Sequence, residues 1–338
     1  MAALQEKNDT TLPPEAEAFV REWLGEGWSA RSLHGDASVR GYYRIVGPDS
    51  ATYVLAYYPE QVRSQVSGFL RAYEAIAPLG RVPEVVRHSG FAVAQRDVGD
   101  ETLFALLERD REAAIPLYRQ AIDLLVDFQA TPGQEVNPPF TAESFLVELE
   151  MTHEYYVRRL MGADDGGQLI LWFRRLADKV AQHQYVLCHR DYHGQNLHVV
   201  KDSLYMIDYQ DLRMGPDTYD LASLLRDRGV ADLLGETAER ELVDYYRIRR
   251  HADASIIQRY YETLLQRSVK ILGTFSKQPI TRGKVHYLEY IPPTIRSIRI
   301  CLEELPEFAP MGRLLPLDFS LESAHAAVAS LREEGDGE

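Results

Sequence analysis

The chain has 338 residues, 45% of them hydrophobic, and a formal charge of −14 at neutral pH. That is apolar material for one large domain or two smaller ones, and the acidic balance excludes a nucleic-acid or anionic-membrane surface, because those are met by clustered Lys and Arg. No apolar run reaches the ~18 to 20 residues of a membrane helix. Met1 to Thr10 is polar, and Cys188 and Cys301 are too few for a disulfide framework and lack CxxC spacing. A cytoplasmic, reducing location is expected.

Ala16, Phe19, Val20 and Trp23 recur at helical spacing before Gly25 breaks the pattern, so a short N-terminal helix is predicted over 15–24. Residues 42–46 and 52–58 are rich in aromatic and branched side chains around a Gly-Pro-Asp turn, and read as antiparallel strands. The spacing predicts a helix over 62–77, strands over 85–88 and 91–95, and a break at Val98-Gly99-Asp100. A β-rich lobe over 1–97 follows. Apolar positions three and four apart then predict helices over 102–108, 113–129, 144–160 and 169–182. Three short apolar runs interrupt them, 185–188, 197–200 and 204–207, the last two joined by a hairpin turn at Lys201-Asp202-Ser203. Helices resume at Tyr219 and run to about Leu331. The expected organisation is a mainly helical lobe over 98–332 and a disordered acidic tail over 333–338.

The polar constellation hangs on the hairpin. Asp191 lies three residues past the run ending at Cys188, Asn196 immediately precedes the next strand, and Asp208 closes the strand after it. Asn196 and Asp208 therefore share one end of two paired strands. Magnesium takes hard oxygen ligands and keeps substrate phosphates in its shell, so one carboxylate and one amide carbonyl suffice as the protein's share. Asp191 is then available to orient an attacking hydroxyl and accept its proton. Phosphoryl transfer needs mainly such positioning and charge neutralisation.

His189-Arg190-Asp191 with Asn196, followed by Ile207-Asp208, resembles the catalytic and metal-binding loops of the protein-kinase-like superfamily, especially its aminoglycoside phosphotransferase branch. The resemblance implies an α+β, bilobal kinase fold, ATP as phosphate donor and Mg2+. It makes Asp191 the catalytic residue and Asn196 and Asp208 the metal ligands. Longer stretches, Gly35 to Arg44, Asp208 to Asp211, Gly215-Pro216, Tyr219 to Asp227 and Arg267 to Tyr290, are similar to the bacterial N-acetylmuramate/N-acetylglucosamine anomeric kinases of cell-wall sugar recycling. That similarity implies phosphorylation of a sugar's anomeric hydroxyl. His189 is read as a residue that shapes the loop, Cys188 as a buried apolar residue, and Asp220 as a helix-start stabiliser or a brace for the catalytic loop.

On the nucleotide side the small-residue turn between Leu33 and Tyr42, which includes Ser38, can bend over phosphates through its backbone amides. It is neither a Walker loop nor GxGxxG. Ala56 falls where a kinase strand presents its lysine, so either Arg40 or Arg44 supplies the charge or the chain is a nucleotide-binding pseudokinase. Gln95 to Gly99, with Arg96 and Val98, occupies the position of an adenine-binding hinge. His193, Asp211 and Arg213 are candidate acceptor-binding residues, Arg213 being suited to a lactyl carboxylate. Two other readings remain open. One is an aminoglycoside or amino-alcohol acceptor met by Glu143, Glu148, Glu150 and Glu154. The other is a metallohydrolase using His189, Asp191, His193 and His198.

Overall fold

The computed structural model describes residues 11–33, 39–131 and 136–335. The chain forms α1 (Pro14–Leu24), β1 (Ser29–Leu33), β2 (Gly41–Val46), β3 (Thr52–Tyr57), α2 (Gln65–Ile76), β4 (Val85–His88) and β5 (Ala92–Arg96). Next come α3 (Leu103–Arg109), α4 (Arg111–Gln129), α5 (Ala142–Thr152) continued by a π-helix over His153–Leu160, α6 (Gln168–Val180), β6 (Tyr185–Cys188), the hairpin β7 (Leu197–Val200) and β8 (Ser203–Met206), and β9 (Arg213–Pro216). The rest is helical: α7 (Tyr219–Arg226), α8 (Val230–Leu234), α9 (Glu236–Arg249), α10 (Ser255–Arg282), α11 (Ile291–Glu304), α12 (Ala309–Leu314) and α13 (Leu321–Gly335). Among the described residues no helix is long and apolar enough to cross a membrane.

Two compact units result. One holds the described residues up to Thr102 together with Asn196–Leu212; the other holds those of Leu103–Gln195 and from Arg213 onward. The division departs from a boundary at 97 because the hairpin β7–β8 is bonded into the first unit: the Val199 amide donates to the Glu101 carbonyl (2.8 Å) and the Met206 amide to the Arg81 carbonyl (2.8 Å). At the other end, α13 extends to Gly335, three residues into the segment expected to be a disordered tail; residues 336–338 lie outside the described residues.

In the first unit an antiparallel sheet has the order β1-β2-β3-β5-β4. Alternation sets its two faces: Tyr43 and Ile45 on β2 and Tyr53 and Leu55 on β3 turn toward α1, where Ala16, Phe19 and Val20 are buried against them. Trp23, on the same helical stripe, meets Tyr53 edge-on at 4.7 Å between ring centroids. Each such large apolar side chain contributes about 1.5–3 kcal/mol on burial. Tyr42, Arg44, Ala56, Val93 and Gln95 occupy the opposite face by the same register.

The second unit packs around α10, whose residues from Glu262 to Val269 are all buried. One short ribbon interrupts its helices, β6 paired with β9 from Tyr185↔Pro216 to Cys188↔Arg213. Gly and Pro ordinarily end strands, yet a glycine is what β9 needs at Gly215, since a Cβ there would meet the Phe140 ring at 2.7 Å. Gly194 is held by the same kind of limit: a Cβ on it would lie 2.9 Å from the amide nitrogen of Phe104 at the start of α3. Gly194→Ala is expected to lower unfolding free energy by about 1–3 kcal/mol, the usual cost of overpacking. Chemical denaturation measures this, and an unchanged midpoint would contradict the close approach.

Candidate functional site

In the first unit the register Leu197↔Met206 closes the hairpin β7–β8, and one step beyond it the Ile207 amide donates to the Asn196 carbonyl at 3.0 Å. Asn196 and Asp208 thus emerge at one end of the ribbon, as the strand pairing predicts. Asp208 is exposed and sits at φ +63°, a left-handed conformation that Asp tolerates better than most residues. Gln210 donates to its Oδ1 at 2.9 Å. The segment is tied to the sheet by Tyr209, which accepts from Gln95 Nε2 at 2.9 Å and packs on Phe69 with ring centroids 5.2 Å apart. One carboxylate and one amide carbonyl on a pinned strand end match the hard-oxygen donor set magnesium uses when phosphates complete its shell.

In the second unit the loop after β6 carries Asp191. Its backbone is fixed from beneath by Asp220, in the first turn of α7, which accepts the amides of His189 (2.6 Å) and Arg190 (2.9 Å). Burial raises the Asp220 pKa, and nearby His189 and these amide donors oppose that rise. Asp220 is therefore the loop's brace. His189 is fully buried and packs edge-on against Tyr192, and Tyr192 donates to the Ala121 carbonyl at 2.7 Å. Cys188 is buried too, its thiol pushed up chiefly by that burial.

Asp191 itself is 41% exposed. Partial burial raises its pKa, but Lys270 and Arg267 on α10, with His193 and Arg190 on its own loop, outweigh this and hold the carboxyl well below the usual range. It is ionised throughout the physiological range.

A family model described as "Phosphotransferase enzyme family" matches residues 29–254. The chain belongs to this phosphotransferase family. It is 27% identical over 324 residues to an N-acetylmuramate/N-acetylglucosamine kinase of Pseudomonas aeruginosa, covering 91% of this chain and 93% of that protein. A kinase of the same name from Neisseria meningitidis serogroup B is 29% identical over 321 residues, covering 88% and 94%. In fold the chain is similar to the streptomycin–ATP–APH(2'')-IIa ternary complex, with a TM-score of 0.58 and 14% identity over 78% of this chain and 91% of that one. The fold is the α+β bilobal kinase type, and the chain is a small-molecule phosphotransferase.

On the sheet face of the phosphotransferase that carries Ala56, the two candidate arginines part ways. Arg44 is buried and committed: NH2 meets Asp97 at 3.0 Å, and NH1 and NH2 meet the two oxygens of Asp100 at 2.8 and 2.7 Å. These hydrogen bonds to Asp100, outweighing burial, raise its pKa. That fork leaves Arg44 no share in replacing the lysine. Arg40 is placed differently, its guanidinium lying 5.5 Å from the Tyr42 ring centroid and 5.7 Å from that of Tyr58. Burial opposes its charge, while Tyr42, Tyr58 and the Asp208 carboxylate favour it. Ser38 lies outside the described residues, as does the rest of the turn over 34–38.

Arg96 spends its amide on the Glu84 carbonyl (2.8 Å), reaches the Glu84 carboxylate at 3.3 Å and covers Tyr53. Half-buried Val98 follows, in a bend where the Gly99 amide donates to Asp97 Oδ1 at 2.9 Å and the Gly99 carbonyl faces His198 Nδ1 at 2.8 Å. His198 is thus engaged in the first unit, while His189 is packed in the core of the second. The described residues contain no cluster of three or more His, Cys, Asp or Glu able to hold a metal, as the metallohydrolase reading requires.

Of the acceptor candidates, Asp211 follows Asp208 in the first unit, and Arg213 opens β9 in the second. The Arg213 and Arg190 guanidiniums both lie over the Phe140 ring, at 5.1 and 5.5 Å. Glu148 faces Arg190 at 3.7 Å and accepts from Gln266 at 3.2 Å, Glu143 faces Arg174 at 3.7 Å and Glu154 accepts from Arg159 at 2.7 Å, so three of the four glutamates named for a cationic acceptor are engaged by protein donors.

Sequence reasoning gave no role to Arg267 or Lys270. A signal was present, because Arg267 falls three residues after Leu264 within the buried stripe of α10, where a charge must have a partner.

His193 is 9% exposed, its Nδ1 is buried without a hydrogen-bond partner, and burial first, then Arg228, pushes its pKa down to about 4. A histidine depressed in the folded state gives stability that is complete above its unfolded pKa and is lost as pH falls. Unfolding free energy should therefore drop by roughly 2 kcal/mol between pH 7 and 5 on account of this residue. Urea titrations of wild type and His193→Gln measure it, the variant losing less; parallel losses would contradict the assignment.

Proposed function

We propose that this phosphotransferase uses ATP and magnesium to phosphorylate the anomeric hydroxyl of N-acetylmuramate or N-acetylglucosamine, an amino-sugar kinase activity of cell-wall recycling. The observation that carries the acceptor is the alignment, along nearly the whole chain, with the Pseudomonas and Neisseria kinases named for those sugars. ATP as donor is supported by the ATP-bound structure of the same fold. A cytoplasmic location is part of this proposal.

The residues divide the work by their chemistry. Asn196 and Asp208 offer the two oxygens that would hold magnesium, which when bound neutralises charge on the phosphate oxygens. Arg40, with Tyr42 and Tyr58 beneath it and Asp208 in its field, supplies the cation missing at Ala56. Ser38 and its neighbours are proposed to cover the phosphates, and the backbone around Arg96 and Val98 to meet the base.

Asp191 orients the acceptor hydroxyl and takes its proton late. A carboxylate held so acidic is a weak base, which suits a loose transition state in which little negative charge builds on the nucleophile before transfer. The anomeric hydroxyl, the most acidic on a sugar, is a fitting acceptor. His193, Asp211 and Arg213 are proposed to contact the sugar, with Arg213 able to pair with the lactyl carboxylate of N-acetylmuramate.

Asp191→Ala is expected to reduce kcat by about 10²- to 10⁴-fold while nucleotide affinity stays within a few-fold. Asp208→Ala should instead weaken magnesium-dependent ATP binding. Coupled-assay kinetics and calorimetric titration separate the two effects, and an acceptor panel tests the sugar. A strong preference for an aminoglycoside or amino alcohol over N-acetylated sugars would defeat the proposed acceptor.

A further inference from the structure

Arg267 stands first, by volume, among the fully buried side chains of the described residues, and no helix end or surface excuses a guanidinium there. Leaving such a charge unmatched in the interior is prohibitive, so its contacts report its role. On one side Nε reaches both oxygens of Asp227 at 3.1 and 3.2 Å, and NH2 meets Asp227 and also Ser223 Oγ at 2.8 Å. Ser223 completes that anchor by donating to Asp227 at 2.7 Å. The Tyr219 ring covers the guanidinium at 4.9 Å.

The other side faces the Asp191 loop. NH1 donates to the backbone carbonyl of Arg190 at 2.8 Å, and NH2 lies 3.8 Å from Asp191 Oδ1. Arg190 has φ +80°, a conformation costly for a residue with a Cβ, so the peptide leading into Asp191 stays in place only because its surroundings over-determine it. Asp220 grips the amides of His189 and Arg190 from one direction, and Arg267 grips the Arg190 carbonyl from another. Between them they hold the peptides on either side of Arg190, Asp220 the one before it and Arg267 the one that leads into Asp191.

We infer that Arg267 is a positioning residue for phosphoryl transfer: anchored by Asp227 and Ser223, it sets the orientation of the Asp191 carboxylate through the Arg190 carbonyl and its own approach to Oδ1. The inference rests on the reading of Asp191 as the residue that meets the acceptor. The charged or titratable groups facing Asp191 are Lys270 and Arg267 from α10, Tyr219 from α7, and Arg190 and His193 from its own loop. Lys270 remains as a second cation beside Asp191 when Arg267 is replaced.

A purely structural ion pair would behave differently from a positioning residue. Truncating Arg267 alone strands the buried Asp227 and destabilises the fold whatever Arg267 does. The informative variant is the double one, Arg267→Met with Asp227→Asn, which leaves neither charge unmatched. Thermal unfolding and steady-state kinetics are measured on the full chain with ATP, magnesium and the best acceptor. The expected result is a Tm near wild type, a kcat lower by about 10²-fold, as for a misplacement of catalytic groups on the order of 1 Å, and KM values for both substrates within about threefold of wild type, because Arg267 is buried away from any bound molecule.

Wild-type kcat in a folded double variant overturns the inference. Arg267→Lys, which keeps a charge opposite Asp227 but has no second arm for the Arg190 carbonyl, is the second probe should the double variant fail to fold, with the same kcat-selective loss expected and the same wild-type kcat contradicting it. Asp191→Asn separates the two levels of the account. If it retains turnover, the reading of Asp191 fails and takes this inference with it. If it is inactive while the double variant turns over normally, only the role of Arg267 is wrong.

Discussion

One buried carboxylate holds the Asp191 loop in place. Asp220 sits in the first turn of α7 with no solvent exposure and accepts the amides of His189 and Arg190. Without it these donors, closed off by Tyr192 and the β6–β9 ribbon, would be orphaned at a cost of about 1–3 kcal/mol each. Arg190 could not hold its positive φ, and Asp191 would have no fixed direction. A carboxylate ringed by amide donors is also where charge-assisted hydrogen bonds are strongest, so the loop is held by few but strong contacts. The helix then depends on its own support, because Thr218 and Ser223, flanking Asp220, are bonded to residues of α10.

On the proposed function the two units answer different demands of phosphoryl transfer. In the first, the donors proposed for the metal must sit on a rigid element at a set spacing, and a hairpin of two four-residue strands alone would be too weak to provide one. Its bonds to Glu101 and Arg81, and the anchoring of Tyr209 by Gln95 and Phe69, make the hairpin part of the sheet unit despite its distance along the chain. In the second, the reacting carboxylate must be ionised and correctly aimed while half exposed. The helices supply that with cations placed behind it, Arg267 and Lys270, and with buried partners that keep Arg267 from collapsing elsewhere.

How much of this was legible in the sequence depends on the range of the interaction. Strands such as Val85–His88, Tyr185–Cys188 and Leu197–Val200 carried their pattern in consecutive residues, and the convergence of Asn196 with Asp208 followed from pairing parity alone. Asp220 as a brace was readable from its place at a helix start. β1 and β9 were harder, because Ser29–Leu33 mixes polar and apolar residues and Arg213–Pro216 contains Gly and Pro, residues that ordinarily end strands. The commitment of Arg44 to Asp97 and Asp100, some fifty residues away, has no local signature. Nor does the reach of Arg267 across 77 positions to Arg190, though a charge inside a buried helical stripe announced that something must meet it. Residues 333–335 were read as tail, and not as the end of α13, because composition alone does not show where a helix stops.

The identity of the acceptor atom is the claim on which the account stands most exposed. Incubation of the purified protein with ATP, magnesium and N-acetylmuramate or N-acetylglucosamine, followed by phosphorus and proton nuclear magnetic resonance of the product, reads it directly. The account predicts a new phosphomonoester whose phosphorus is coupled to the anomeric proton. A phosphorus coupled to any other sugar proton, or ATP left intact with either sugar present, would contradict it.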